Sequence, residues 1–161
     1  MSNFEKFRKL VQLPPKIKLV LNNLSERNLT DFDSGFLRWK DYMANSKDPQ
    51  YEPKMTDKGV YFGRWDKIKG KFHGFGVLYS PEDKTYYEGF FLNGEKNGKG
   101  RLISADGELK EGDWKNGKFV LEAVNGNKVP GLKFKRNGGN SEQNESLKIE
   151  SFWKPVGWAR N

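Results

Sequence analysis

A motif of glycine and aromatic residues recurs three times between residues 60 and 119, and it limits the possible folds more than any other feature. Three glycines mark the copies, each with a large aromatic residue two positions later: Gly63 with Trp65, Gly89 with Phe91, and Gly112 with Trp114. The spacing is 26 residues from Gly63 to Gly89 and 23 residues from Gly89 to Gly112. A period of this length is typical of arrays in which one small unit stacks on its copies.

Each copy is predicted to be a β-hairpin. In the second copy, strand alternation places Tyr87, Gly89 and Phe91 on one face. The following Asn93-Gly94 supplies the positive φ of a tight turn, and Gly98-Lys99-Gly100 begins the return strand. The first copy has the same parts, with a longer turn before Gly74 and Gly76.

The third copy is incomplete. Leu121 and Ala123 stand where the second glycine pair is expected, and Lys110 replaces the tyrosine. After the Asn125-Gly126 turn, residues 128–135 are predicted to form a degenerate last strand or cap. Terminal units of stacked arrays are atypical because one of their sides has no neighbour.

The repeat glycines are predicted to be structural: Gly63, Gly74, Gly76, Gly89, Gly98, Gly100 and Gly112. A single hairpin is marginally stable in water, so neighbouring copies must cover one another's aromatic faces. We expect the three marker glycines to lie where a ring from a neighbouring copy approaches the backbone. A Gly89→Val substitution is therefore expected to be strongly destabilising.

Four segments follow from composition: a helical extension at 1–58, a β-repeat platform at 59–136, a polar linker at 137–146 and an aromatic tail at 147–161. Within the extension, apolar spacing predicts a helix over 3–12, while 16–24 fits either a helix or a strand. A further helix is predicted to start at Ser34 as N-cap and to carry Trp39 on its apolar side. Residues 44–58 are predicted to form a connector.

The charge of the chain is concentrated outside the repeats. The net charge is +8, yet residues 59–119 hold 11 basic and 9 acidic residues. Residues 1–20 and 128–161 carry +4 each, so the ends could favour an acidic protein, an anionic membrane or RNA, or could simply aid solubility. The chain has no cysteine, which excludes disulfides and thiolate metal sites.

The pattern Tyr-x-Gly-x-aromatic, an Asn-Gly turn and Gly-x-Gly resembles the MORN repeat (membrane occupation and recognition nexus). The segment from Tyr87 to Gly100 is a near-consensus copy, Gly63 to Gly76 is a copy with a longer turn, and Gly112 to Gly117 is half a copy. The resemblance implies a mainly β fold of consecutive antiparallel hairpins in an elongated twisted sheet with an aromatic-lined groove. It implies scaffolding, protein docking or membrane attachment as functions, since the family serves all three.

No catalytic, metal or cofactor site is predicted. The single histidine, His73, has no serine or cysteine motif around it and is best explained as an ordinary strand residue. No Asp-x-Asp-x-Asp loop or cysteine-histidine cluster is present in the sequence. Nucleic acid is an unlikely partner by this reasoning, because the repeat aromatics recur as core rings would and the repeat charge is nearly balanced.

The sequence therefore predicts a non-enzymatic scaffold subunit that docks other proteins of a multiprotein assembly. By resemblance, an axonemal or cytoskeletal complex is expected, with a mitochondrial complex as the second location. The alternative function is a peripheral membrane module that binds anionic phospholipid through residues 1–20 and 128–136. Candidate partner-binding residues are Phe4, Phe7, Trp39, Tyr61, Trp65, Tyr87, Phe91, Trp114, Phe152, Trp153 and Trp158.

Overall fold

The computed structural model of the protein describes residues 1–28, 31–120, 123–124 and 127–128. Three α-helices come first along the chain: α1 (Asn3–Leu10), α2 (Pro15–Glu26) and α3 (Asp31–Asn45). A short 3₁₀ helix (Pro49–Tyr51) precedes the sheet, whose seven strands are β1 (Lys54–Thr56), β2 (Gly59–Asp66), β3 (Lys71–Ser80), β4 (Thr85–Leu92), β5 (Glu95–Ile103), β6 (Leu109–Lys115) and β7 (Lys118–Phe119). A separate ladder joins β8 (Ala123–Val124) to β9 (Asn127–Lys128).

Local chemistry explains where the first two helices begin. Ser2 caps α1 through a reciprocal capping box with Glu5, which satisfies backbone groups at the helix start. Pro15 opens α2 at a position that needs no N–H donor. The segment 16–24, for which helix and strand were both open, is helical. Residues 3–10 form the first predicted helix, ending two residues before the expected limit.

The predicted N-cap of α3 is wrong. The helix begins at Asp31, so Ser34 lies inside its first turn rather than at its boundary. Asp33 explains the longer helix in part, because its carboxylate accepts hydrogen bonds from Arg27 and Arg101 and is thereby fixed against the sheet.

The sheet is a chain of consecutive antiparallel hairpins, with strand order β1-β2-β3-β4-β5-β6-β7. The predicted mainly β fold, with short helices in the N-terminal extension, is confirmed. Each of the two full hairpins has a register shift, between Gly63 and Trp65 and between Gly89 and Phe91. Such bulges increase the local twist of the strands. The sheet starts earlier than the repeats, since β1 lies within the segment predicted as a connector.

The helices pack on one face of this sheet, which we call the inner face. The Trp39 ring stacks on Phe75 at a centroid distance of 5.8 Å, and Phe36 meets the same ring edge-on at 5.0 Å. Phe7 packs against Phe62 at 5.9 Å. Each large apolar side chain buried in this way stabilises the fold by roughly 2 kcal/mol. The N-terminal extension is thus part of the core, which it shares with the repeats.

None of the helices in the described part of the chain is both long and apolar enough to cross a membrane.

Candidate functional site: the outer face of the sheet

A row of glycines crosses the sheet on the face opposite the helices, which we call the outer face. Its five members pair directly from strand to strand: Gly63 with Gly76, Gly76 with Gly89, Gly89 with Gly100, and Gly100 with Gly112. Without side chains, these residues leave a strip of bare backbone along the middle of the outer face.

Two tyrosine rings lie on this strip, and each belongs to the same hairpin as the glycines beneath it. A Cβ on Gly76 would lie 2.5 Å from the Tyr61 ring, and a Cβ on Gly100 would lie 2.5 Å from Cζ of Tyr87. A Cβ on the marker glycines Gly63 and Gly89 would likewise lie 2.7 Å from the hydroxyl of Tyr61 and Tyr87, respectively, so the expectation that a neighbouring copy supplies the covering ring is wrong at these two positions. The tyrosine precedes its marker glycine by two residues, so its side chain reaches directly over the partner strand.

The tyrosine hydroxyls are held in equivalent ways. The Tyr61 hydroxyl donates to the Arg64 carbonyl at 2.6 Å, and the Tyr87 hydroxyl donates to the Phe90 carbonyl at 3.0 Å. Both acceptors lie at the bulge that follows the marker glycine. Burial raises the pKa of Tyr61 and Tyr87 well above the ordinary tyrosine value, so both remain neutral donors.

The aromatic side chains of the outer face form one continuous cluster. Tyr61 stacks on Phe72 at 4.0 Å, Phe72 contacts Phe91 at 5.4 Å, and Phe91 contacts Tyr87 at 5.1 Å. Tyr87 continues to Trp114 at 5.4 Å. Within the described residues, every member of this cluster comes from a strand, so no helix covers it.

Two lysines lie over these rings. The Lys58 ammonium is 5.9 Å from the Phe72 ring centre and donates to the Gly94 carbonyl at 3.3 Å. The Lys96 ammonium lies 5.4 Å from the Tyr87 ring centre and 5.8 Å from that of Trp114. Burial lowers the pKa of Lys96, and this ammonium forms no ion pair with any described residue.

Most predicted contact residues of the platform are buried by one another. Tyr61 and Tyr87 are each 1% exposed, and Phe91 and Trp114 are also buried. Trp65 alone among these five is partly exposed, and it packs on Phe72 at 5.5 Å. The outer face therefore presents edges of rings, Trp65 and the two lysines to an incoming partner.

The predicted contact residues outside the platform fall into two groups. Phe7 is 1% exposed and Trp39 is 3% exposed, while Phe4 is partly buried against Phe7 and Phe62. All three contribute to the inner core, so they have little surface left for a partner. Phe152, Trp153 and Trp158 lie outside the described residues, as do the linker 137–146 and the tail 147–161.

The inner face holds an ionic network that the sequence analysis missed. The Arg101 guanidinium contacts the Glu88 carboxylate and lies 2.5 Å from Asp33. Arg27 joins Asp33 at 2.7 Å and Glu111 at 2.9 Å. These contacts tie α3 and the end of α2 to three successive strands.

This network is deeply buried, and each of its charges lies beside an opposite charge. Glu88 is fully buried, and Lys40 reaches it at 3.2 Å while the Tyr86 hydroxyl donates to it at 3.0 Å. Burial alone raises the pKa of Glu88, but Arg101 and Lys40 outweigh it and lower this pKa to about 2. The alternation of side chains along a strand predicts that these charges are buried. Gly89 and Gly100 face outward, so the adjacent Glu88 and Arg101 must face the helices.

No metal-binding group of three or more His, Cys, Asp or Glu side chains occurs within the part of the chain that the structure describes. His73 lies in β3, and its Nδ1 has no hydrogen-bond partner among the described residues.

Comparison with known families identifies the sheet. The MORN repeat family matches residues 61–83, 87–108 and 111–120, which coincide with the three hairpin copies. Residues 61–120 are MORN repeats. MORN repeats are non-catalytic binding modules that mediate interactions with proteins or membrane lipids. The first two MORN copies share four glycines of the row, Gly63 with Gly76 and Gly89 with Gly100, and the two tyrosines described above.

The MORN region also resembles part of a much larger protein. Alsin of Homo sapiens is 36% identical over 78 residues, which cover 45% of this chain and 4% of Alsin. Alsin of Mus musculus is 35% identical over 79 residues, covering 46% of this chain and 5% of Alsin. The chain thus spans only a small fraction of the relatives that it matches.

Proposed function

We propose that this protein is a non-enzymatic scaffold subunit that docks a partner protein on the outer face of its MORN sheet. The observation that carries this proposal is the asymmetry of the sheet. Its inner face is covered by three helices of the same chain, whereas the aromatic cluster of the outer face has no covering element among the described residues.

The chemistry of the outer face indicates what kind of segment would bind there. Trp65, Leu102 and Phe119 are partly exposed and pack on the edge of the aromatic cluster, so they offer apolar contacts. Lys96 brings a half-buried ammonium, which has no ion-pair partner among the described residues, to the rings of Tyr87 and Trp114. A partner segment with apolar side chains and a carboxylate would match both features, because it would supply the missing counter-charge.

The partner can be trapped at this face in cells. A photo-cross-linking amino acid at position 65 would capture a partner that occupies the outer face. The matched control carries the same amino acid at Lys18, which is exposed on α2. The proposal expects a partner trapped at position 65 and absent at position 18. An identical set of products at both positions would contradict docking on the outer face.

Binding of the trapped partner then tests the chemistry. Lys96→Glu is expected to weaken binding at least tenfold, because it places a like charge opposite the partner carboxylate. Lys18→Glu makes the same charge change on the helical side and is expected to leave binding unchanged. Equal effects of the two substitutions would show that net charge, and not Lys96, governs the interaction.

An axonemal or cytoskeletal assembly is the proposed place of action. This proposal rests on the resemblance to MORN proteins and on the docking face, and imaging of the tagged protein tests it. Co-localisation with axonemal or cytoskeletal markers is the expected result. A mitochondrial signal would favour the second proposed location instead.

The alternative of binding anionic membranes through residues 1–20 is weakened by the position of α1. Its apolar residues Phe4 and Phe7 pack toward the sheet, so Leu10 is the main apolar side chain left exposed beside Arg8 and Lys9. Residues 129–136 lie outside the described residues. Flotation with anionic and neutral vesicles tests this alternative, and we expect no stable binding to either.

A further inference from the structure

The two ends of the MORN sheet carry opposite charge. Alternate turns of a meander lie at the same end, so the β2–β3, β4–β5 and β6–β7 turns share one end and the other three turns share the opposite end. We define the basic end as residues 66–71, 92–95 and 115–118, and the acidic end as residues 56–59, 80–85 and 103–109.

The charge difference is large for such a small sheet. The basic end has five lysines, Lys67, Lys69, Lys71, Lys115 and Lys118, against two carboxylates. The acidic end has five carboxylates, Asp57, Glu82, Asp83, Asp106 and Glu108, against two lysines. The local charges are therefore +3 and −3.

Much of this charge is exposed and unpaired. Lys67, Lys69 and Lys71 are exposed and form no ion pair within the described residues. Glu82 and Asp83 are likewise exposed in the β3–β4 turn and have no ion-pair partner there. Among the other acidic-end carboxylates, Asp106 lies near Lys16, and Glu108 is 3.9 Å from Lys110.

The basic end also presents an apolar side chain on a rigid turn. Ile68 is 98% exposed, although the Asp66 carboxylate accepts hydrogen bonds from its N–H at 2.9 Å and from the Lys69 N–H at 3.0 Å. The Gly70 N–H donates to the Asp66 carbonyl at 2.8 Å. A fixed turn that holds an isoleucine in solvent between lysines has no role in the packing of the described residues. Next to the acidic end, Met55 is 72% exposed in β1.

Within one molecule, Lys58 of the acidic end reaches across the outer face and donates to the Gly94 carbonyl of the basic end at 3.3 Å. Among the described residues, however, no carboxylate of the acidic end forms an ion pair with a lysine of the basic end. We propose that the basic end of one copy binds the acidic end of a second copy. This contact is head-to-tail and leaves a free end on each partner, so it extends beyond a dimer.

The contact competes with the overall charge of +8, which repels two copies. At an ionic strength of about 0.1 M, charges more than about 10 Å apart are largely screened, so the local pairs between the ends prevail. At about 1 M the screening length falls to about 3 Å, and the exposed pairs are weakened as well. Self-association is therefore expected at moderate salt and expected to disappear at high salt.

Sedimentation velocity of the full chain tests the proposal. At moderate salt, the weight-average sedimentation coefficient is expected to rise with protein concentration, and this rise is expected to vanish at high salt. Lys67→Glu with Lys69→Glu makes both ends acidic, and Glu82→Lys with Asp83→Lys makes both ends basic. Each double variant alone is expected to stay monomeric, while an equimolar mixture of the two regains association.

The controls separate this contact from general charge effects. Lys9→Glu with Lys18→Glu changes the net charge as much as the first double variant, but on the helices, and is expected to retain association. Circular dichroism establishes that each variant is folded, and Lys67→Ser with Lys69→Ser replaces the first double variant if that one is not. A wild-type chain that stays monomeric at moderate salt overturns the proposal, and so does a mixture that fails to associate. The docking of a partner on the outer face is independent of either result.

Discussion

The ring of Tyr87 occupies the space that a side chain on Gly100 would need. A Cβ built on Gly100 would lie 2.1 Å from the tyrosine hydroxyl oxygen and 2.5 Å from Cζ. We therefore expect Gly100→Ala to destabilise the protein by about 3 kcal/mol, because the ring or the strand must move. Urea denaturation measures the loss.

A double-mutant cycle shows whether the ring causes this effect. In a Tyr87→Ala background the same Gly100→Ala change is expected to cost much less, since the obstructing ring is gone. An unchanged cost in that background would place the strain in the backbone instead. Gly89→Val is still expected to be strongly destabilising, because a Cβ on Gly89 would lie 2.4 Å from the Gly100 Cα.

The buried ionic network is expected to be sensitive to loss of its central cation. Arg101→Met leaves the Glu88 and Asp33 carboxylates without their shared partner, and we expect it to lower the free energy of unfolding by about 3–5 kcal/mol. Lys6→Met is the comparison, since it removes an exposed ion pair with Glu52 and is expected to cost less than about 1 kcal/mol. Urea denaturation measures both losses of unfolding free energy. Equal losses for Arg101→Met and Lys6→Met would show that burial does not increase the cost of removing a cation.

The low pKa of Glu88 predicts how stability responds to acid. Its pKa is about 2 in the folded chain, below the ordinary value of 4.5. The ionised form is thus favoured by folding, so its contribution is full above about pH 4.5 and is lost as the pH falls toward 2. Thermal melts across this range are expected to show a steep decline in wild type. The decline should be shallower in Glu88→Gln, and parallel curves would exclude Glu88 as its source.

Substitution of Lys96 tests whether the second repeat would be more stable with an aromatic residue at the position that is proposed to bind the partner. Lys96 pairs with Phe91 in the second hairpin as Phe72 pairs with Trp65 in the first. A ring at this position would stack between Tyr87 and Trp114, so Lys96→Phe is expected to increase stability by about 1 kcal/mol. The same variant is expected to bind the partner less tightly. A less stable variant would show that the two hairpins are not equivalent there.

Features encoded over short distances could be predicted from the sequence. The hairpins followed from the glycines, the Asn-Gly turns and the alternation around Tyr87, because each depends on residues close along the chain. The start of α3 was misplaced, since Ser34 is a suitable cap by local rules while the contacts of Asp33 with Arg27 and Arg101 extend the helix. Residues 16–24 stayed ambiguous because an apolar run fits both a helix and a strand.

The position of the helices on the sheet depends on contacts that no local pattern reveals. Phe7 and Trp39 looked available for partners because their own segment offered no core to bury them. Their burial requires Phe62 and Phe75, which come from the repeats. Likewise, strand alternation places Glu88 and Arg101 on the face opposite the glycine row, but their partners Lys40 and Asp33 come from a helix that is distant in the sequence.

Asp33 and its partner Arg101 lie far apart along the sequence, and this distance affects how the protein folds during its synthesis. Arg101 follows Asp33 by 68 residues, so the ribosome exposes α3 well before the strand that secures it. At ordinary translation rates this interval is on the order of ten seconds. During that time the apolar sides of the three helices lack the complete sheet that covers them. A nascent chain of this protein is consequently expected to engage a chaperone before β5 emerges.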